Sequence, residues 1–284
     1  MRQAIGCSLR RQLLAFTHAS SHNPAHMARS SAKKPTVSPR PDHATARPAA
    51  LVTGASGGIG RAISLAFGRI GWHVGVHYSR NKPAAETTLR QVRAQGGTGH
   101  LYQADIRKSD SVQQMIDSWR SSVPVTTAFI CNAGIAENGL LVRQPERAWH
   151  EVIETNLTGT FHCLRTMAPV LIAGGGGNIV VIGSHTGFHG ASGQAAYATS
   201  KAGLIGLVKT AAWEWGPLNI RVNLVLPGWQ KTGLTSGFFP EDSGWPDHAL
   251  GRPPSLIEAA RTVVHLAQLN DVSGQVWNCD SRNL

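Results

Sequence analysis

The sequence predicts an α/β fold: one domain with a doubly wound parallel sheet of about seven strands and helices on both faces. Three observations carry the prediction. Short apolar runs alternate with longer amphipathic patterns from residue 49 to 284, which is how parallel strands and their crossover helices read in sequence. A glycine-rich turn stands at the first strand-to-helix junction, residues 53–60. No internal repeat or second composition regime breaks the chain, so one domain is the economical reading.

Residues 49–53 form the first buried strand and 59–70 the first helix, with the turn between them. A strand over 72–78 and a helix over 84–94 follow, then a strand at 100–104 and a helix at 111–120. The fourth strand is 127–131, and a long helix starts near Arg147 with Pro169 close to its end. The run Gly174 to Gly177 is a flexible turn into the fifth strand, 178–183, because no helix follows it to make a phosphate loop. A second long helix spans 195–215. Strands at 220–226 and 275–279 enclose a helix at 256–269.

The bulk numbers restrict the function classes. Of the formal charge of +11, +7 resides in residues 1–48 and only +4 in the rest. The body is mildly basic, which argues against a nucleic-acid partner. No apolar stretch reaches the roughly 18 residues of a membrane span. The four cysteines, 7, 131, 163 and 279, form no CxxC pair and no metal-spaced cluster, as expected of reduced thiols in a cytoplasmic protein. Residues 1–48 are rich in Arg and Ser, hold no acid before Asp42, and are interrupted by prolines. They read as an organelle transit peptide, a disordered tail or a start-site artefact ahead of Met27. The transit reading would place the protein in an organelle matrix.

The turn Thr53-Gly54-Ala55-Ser56-Gly57-Gly58-Ile59-Gly60 suits a dinucleotide. Its glycines let a pyrophosphate approach the backbone, and the following helix N-terminus supplies free N–H donors. At the end of the second strand an acid would favour NAD. This chain has Ser79 and Arg80 there instead, with Lys82 beyond. The donors of Ser79 and Arg80 suit the 2′-phosphate of NADPH rather than NADH, a solvated loop holding Arg80 and Lys82 being the alternative. Asp105 and Ile106 are placed to touch the adenine edge, helix capping being the alternative. Asn132-Ala133-Gly134 ends the fourth strand where backbone can meet cofactor.

Tyr197 and Lys201 lie one helical turn apart on one face. A free phenol, with a pKa of about 10, is a poor acid-base catalyst near neutrality. A neighbouring ammonium is expected to lower that pKa and make proton transfer practical. Ser184, at the end of the fifth strand, can hydrogen-bond a substrate oxygen where charge develops. Asn156 sits mid-helix, an unusual place for asparagine unless its side chain has a task.

Taken together, TGASGGIG (53–60), Asp105-Ile106, CNAG (131–134), TNLTG (155–159), IGS (182–184), YATSK (197–201) and PGWQKT (227–232) resemble the short-chain dehydrogenase/reductase family. The likeness runs from about residue 49 to 284 and implies a single-domain Rossmann fold, usually in a homo-oligomer, tetramer or dimer. It implies Tyr197 as general acid/base, Lys201 also on the nicotinamide ribose, Ser184 positioning the carbonyl, and Asn156 supporting a water-linked proton relay. Pro227, Gly228 and Thr232 would bracket the nicotinamide.

Within the family, 190–210 is similar to 3-oxoacyl-acyl-carrier-protein reductases, so the expected substrate is a 3-oxoacyl thioester carried on acyl carrier protein or CoA. Another small ketone, quinone or sugar-derived carbonyl is the alternative, and a non-catalytic NADPH-binding regulator a minor one. Two departures weigh against the 3-oxoacyl thioester: positions where such reductases often carry arginines for docking the carrier are Gly175 and Leu218 here, and the usual Asp-Gly-Gly near the C-terminus, a stretch that often supports the tetramer interface in the family, is Asp280-Ser281-Arg282. Residues 229–254, with Phe238, Phe239, Pro240, Trp245 and Pro246, read as an apolar lid over the substrate or a loop tucked onto the core. His185 and His189 read as ordinary loop residues, with substrate contact as the alternative.

Overall fold

In the computed structural model the described residues are 47–233, 235 and 244–284. All but two residues of the N-terminal extension, and the centre of the expected lid with Phe238, Phe239 and Pro240, lie outside them. Seven strands pair in parallel in the order β3-β2-β1-β4-β5-β6-β7. They are β1 (Ala49–Val52), β2 (His73–Tyr78), β3 (Thr98–Gln103), β4 (Ala128–Cys131), β5 (Gly177–Ile182), β6 (Ile220–Leu226) and β7 (Val276–Asn278). Strand order reverses between β1 and β4. A crevice therefore opens there at the carboxyl ends of the strands, because the crossovers on its two sides leave in opposite directions.

Each strand alternates its side chains between two cores. Leu51, Phe129, Ile179, Val181 and Leu224 face one core. It is completed by Trp119 of α3 (Ser109–Ser122), Leu164 and Met167 of α5 (Gly159–Ala173) and, beyond the one-turn helix α6 (Thr186–His189), Leu204 of α7 (Ala195–Trp215). Val52, Ile130, Val180 and Val225 face the other. There Ile63 and Phe67 of α1 (Gly58–Arg69), Leu89 of α2 (Lys82–Ala94) and Val263 of α8 (Leu256–Leu266) cover the sheet. Trp119 is fully buried and its indole N–H donates to Thr126 at 2.8 Å, so its size and its polar atom are both accommodated.

Most predicted elements stand within a few residues of their expected limits. Asn81 accounts for one shift: its side chain accepts from the Ala84 N–H at 3.1 Å and starts α2 at Lys82, two residues early. The long helix expected from Arg147 is not continuous. It runs as α4 (Glu146–Ile153), a π-helical turn (Glu154–Thr158) and α5. The glycine turn after it uses positive φ at Gly175 (83°) and Gly176 (119°), and a Cβ at Gly176 would stand 2.2 Å from the Asn219 carbonyl oxygen. Among the described residues no helix is long and apolar enough to cross a membrane.

Candidate active site

A cleft of about 670 Å³ lies at the crevice between β1 and β4. Every candidate site residue named from the sequence lines it except Gly60 and Asn156, which stand immediately behind its wall.

The nucleotide end is shaped by backbone. Gly54 has φ 63°, and a Cβ there would come within 2.8 Å of the Ala133 Cα. At Gly60 a Cβ would stand 2.3 Å from the Gly54 carbonyl oxygen, so the glycine lets α1 close on the turn. A Cβ on Gly57 would meet nothing within 4 Å, since this part of the turn faces open space. Gly57 also caps α1 without a side-chain hydrogen bond, which leaves the first helical N–H groups for an anion. The Thr53 hydroxyl accepts the backbone N–H groups of Asn132 (2.9 Å) and Ala133 (3.1 Å), and the Asn132 amide donates back to Thr53 O and Gly54 O. These bonds fasten the glycine turn to the end of β4.

His77 holds the same turn from the other side. Its Nδ1 accepts the Gly54 N–H at 2.9 Å, so Nε2 carries the proton and donates to Ala104 O at 3.1 Å. Burial, partly offset by that carbonyl, pushes its pKa down to about 4, and the ring is neutral at physiological pH. Nothing in the local pattern of β2 distinguishes His77 from a residue that merely fills space.

Ser79 and Arg80 line the cleft beyond β2, as does Arg107 beyond β3. The Asp105 carboxylate is already engaged: Arg107 donates to it from Nη2 at 2.6 Å, from Nε at 2.9 and 3.2 Å, and from its backbone N–H at 3.1 Å. The guanidinium holds that carboxyl below its ordinary range.

At the other end Ser184 follows β5, and Tyr197 and Lys201 face it from the first turns of α7. Tyr197 and Ser184 line the same end of the cleft, close enough for the serine hydroxyl to act on the phenol. Lys201 is buried, and its Nζ donates to Ile182 O at 2.7 Å while standing 5.7 Å from the Tyr197 ring centre. The expected depression of the phenol pKa is not what this geometry gives. Burial raises the Tyr197 pKa, the neighbouring Ser184 hydroxyl offsets it only in part, and the ammonium spends its short hydrogen bond on a backbone carbonyl. Burial also lowers Lys201 to about 8.

Asn156 occupies the π-helical turn. Its Oδ1 accepts the Ile135 N–H at 2.8 Å, and its Nδ2 donates to Ile135 O (2.9 Å) and Ser200 Oγ (3.0 Å). Thr160 takes the Asn156 carbonyl at 2.7 Å. The side chain thus joins the loop after β4 to α7, and a regular helix would aim it elsewhere. His185 lines the cleft and stacks on His189 with ring centres 4.4 Å apart.

The cradle fits the nicotinamide dinucleotide that the family implies: glycines stand where a Cβ would collide, and unbonded helical N–H groups face the opening. A family profile described as short chain dehydrogenase matches residues 48–243. A 3-oxoacyl-[acyl-carrier-protein] reductase of Staphylococcus epidermidis is 40% identical over 187 residues, 66% of this chain and 77% of that one. The reductase of the same description from Synechocystis is 34% identical over 233 residues, covering 81% and 94%. The crystal structure of a protein from Sinorhizobium meliloti, described as a short-chain alcohol dehydrogenase, superposes with TM-score 0.78 at 27% identity, covering 83% of this chain and 95% of that one. By fold, cleft and sequence alike, the chain belongs to the short-chain dehydrogenase family of oxidoreductases.

Proposed function

We propose that the protein reduces a ketone to a secondary alcohol with NADPH, and that its substrate is a 3-oxoacyl thioester. The observation that carries the reaction class is the Ser184–Tyr197 pair, with buried Lys201, opening onto a glycine-built cleft. Similarity to two 3-oxoacyl-[acyl-carrier-protein] reductases supports the substrate class. NADPH is supported by Arg80 in the cleft beyond β2, where no acidic residue stands.

Bound NADPH supplies a hydride to the carbonyl carbon. The protein's own work is done on the oxygen. Ser184 and Tyr197 line the same end of the cleft, and a carbonyl oxygen between their hydroxyls would accept from both. Tyr197 Oη then gives up its proton as the oxygen becomes a hydroxyl. A raised phenol pKa suits this direction, because the proton is in place at neutral pH. Lys201 remains largely charged below about pH 8, so a positive charge stands 5.7 Å from the Tyr197 ring centre as the proton leaves.

Gly175 and Leu218, where docking arginines are common among carrier-dependent reductases, favour a second reading in which the substrate is a small ketone free of any carrier. NADPH oxidation with acetoacetyl thioesters, free and carrier-bound, beside a panel of simple ketones separates the two. Preference for the thioesters supports the first. Turnover of simple ketones alone selects the second, and NADPH binding without turnover of any carbonyl rejects both.

A further inference from the structure

The substrate end of the cleft holds an arginine that the reaction described above does not use. Arg282 lies four residues past β7 and lines the cleft together with Ser184, His185 and Tyr197. One edge of its guanidinium is fixed. Nε donates to Asp280 Oδ2 at 2.7 Å, and Nη2 bonds the same oxygen. The Asp280 side chain is wholly buried (0% exposed), and its Oδ1 accepts the Arg282 backbone N–H at 3.2 Å and lies 3.1 Å from His248 Nε2. The carboxylate is therefore an orienter rather than a ligand.

The tail is tied again just past the arginine, where His185 Nε2 meets the Asn283 carbonyl oxygen at 2.9 Å. His185 follows Ser184 directly, so this tie brings Arg282 to the wall beside the catalytic serine. The Arg282 side chain keeps 16% of its surface open, and among the described residues its Nη1 makes no hydrogen bond. A permanently charged, planar donor with one edge clamped and the other free is suited to an acceptor oxygen.

We propose that Arg282 is a specificity-determining residue: its free edge holds an acyl oxygen carried by the substrate next to the ketone that is reduced. This rests on the ketone-reductase reading and deepens it. Substrates with that second oxygen, whether a thioester carbonyl or a free carboxylate, are selected over simple ketones.

The test compares acetoacetyl-N-acetylcysteamine, acetoacetate and butanone in NADPH-oxidation assays of wild type, Arg282→Lys, Arg282→Gln and the double variant Asp280→Asn/Arg282→Gln. The double variant removes both halves of the buried pair, so no unpaired charge is left to disturb folding. Comparing variants also cancels the higher intrinsic reactivity of the acetoacetyl compounds. Arg282→Gln and the double variant should lose at least about tenfold in kcat/KM on an acetoacetyl substrate, chiefly through KM, and no more than about threefold on butanone. Arg282→Lys should fall between wild type and these. Loss with the thioester identifies its carbonyl as the group held, and loss with acetoacetate identifies the carboxylate. Equal losses on all three ketones overturn the inference and leave the reductase reading standing. Wild-type enzyme that binds NADPH yet turns over none of the three overturns that reading, and the inference with it.

Discussion

At the nucleotide end of the cleft, backbone geometry within short stretches of chain does most of the shaping, whereas the substrate end is assembled from side chains far apart in sequence. Gly54, Gly57, Gly58 and Gly60 fall within one turn, and their roles follow from what a Cβ would strike or leave open. At the substrate end Ser184 and Tyr197 meet His185, Arg282 and Trp229, drawn from the end of β5, the C-terminal tail and the segment after β6. A family can keep the first kind of site unchanged while altering the second one side chain at a time. The same division explains why cofactor class is better determined here than substrate.

Tyr197 sits where the two ends meet, so its removal should have the largest effect. Tyr197→Phe should lower kcat by roughly 10²- to 10⁴-fold and leave the NADPH dissociation constant and the melting temperature nearly unchanged. Substantial residual turnover would place the acid elsewhere and break the division at its seam.

His77 gives the next largest effect, read in stability. Its folded pKa of about 4 lies below the ordinary 6.5, so the native state binds fewer protons than the unfolded chain between those values. The contribution is complete above about pH 6.5 and is lost as pH falls toward 4, amounting to about 3 kcal/mol from this one group. Urea melts across that window should show the slope, and His77→Asn should flatten it. An unchanged slope would mean that His77 is not the group that ties the turn.

Arg80 tests the nucleotide end for ligand choice. Arg80→Ala should raise the KM for NADPH by about ten- to a hundredfold, the worth of a charge-assisted hydrogen bond, and leave that for NADH within about twofold. Equal changes for both cofactors would assign Arg80 to the solvated loop.

The pH profile of reduction is a smaller effect. With Lys201 near 8, kcat/KM should hold at neutral pH and decline above about 8 as the ammonium loses its proton. Smallest of all, Gly175→Arg should raise turnover of a carrier-bound substrate only a few-fold at low salt. Its positive φ of 83° costs an arginine about 1 kcal/mol.

The strands and helices, the glycine turn and the Tyr197–Lys201 pair are legible in the sequence because each rests on local spacing: apolar runs at strand length, glycines at one turn, tyrosine and lysine one helical turn apart; the order of the strands is not. The break at Asn156 was half legible. An asparagine in mid-helix announces a task, but the π-helical turn depends on Ile135 and Ser200, which approach from other elements. His77, Arg107 and the Asp280–Arg282 pair carry no local signal that marks them as parts of the site. The first looks like an ordinary strand residue. The lowered pKa expected of Tyr197 failed for a related reason: spacing brought Lys201 to the right face, while the Ile182 carbonyl, nineteen residues before it, decided where the ammonium points.

The most direct test of the central claim follows the hydrogen itself. NADPH deuterated at the transferable nicotinamide position is incubated with the protein and an acetoacetyl thioester, and the product is examined by mass spectrometry. One deuterium on the carbinol carbon of a 3-hydroxyacyl product is the result expected. NADPH binding with no label transferred to any carbonyl compound offered would contradict the account.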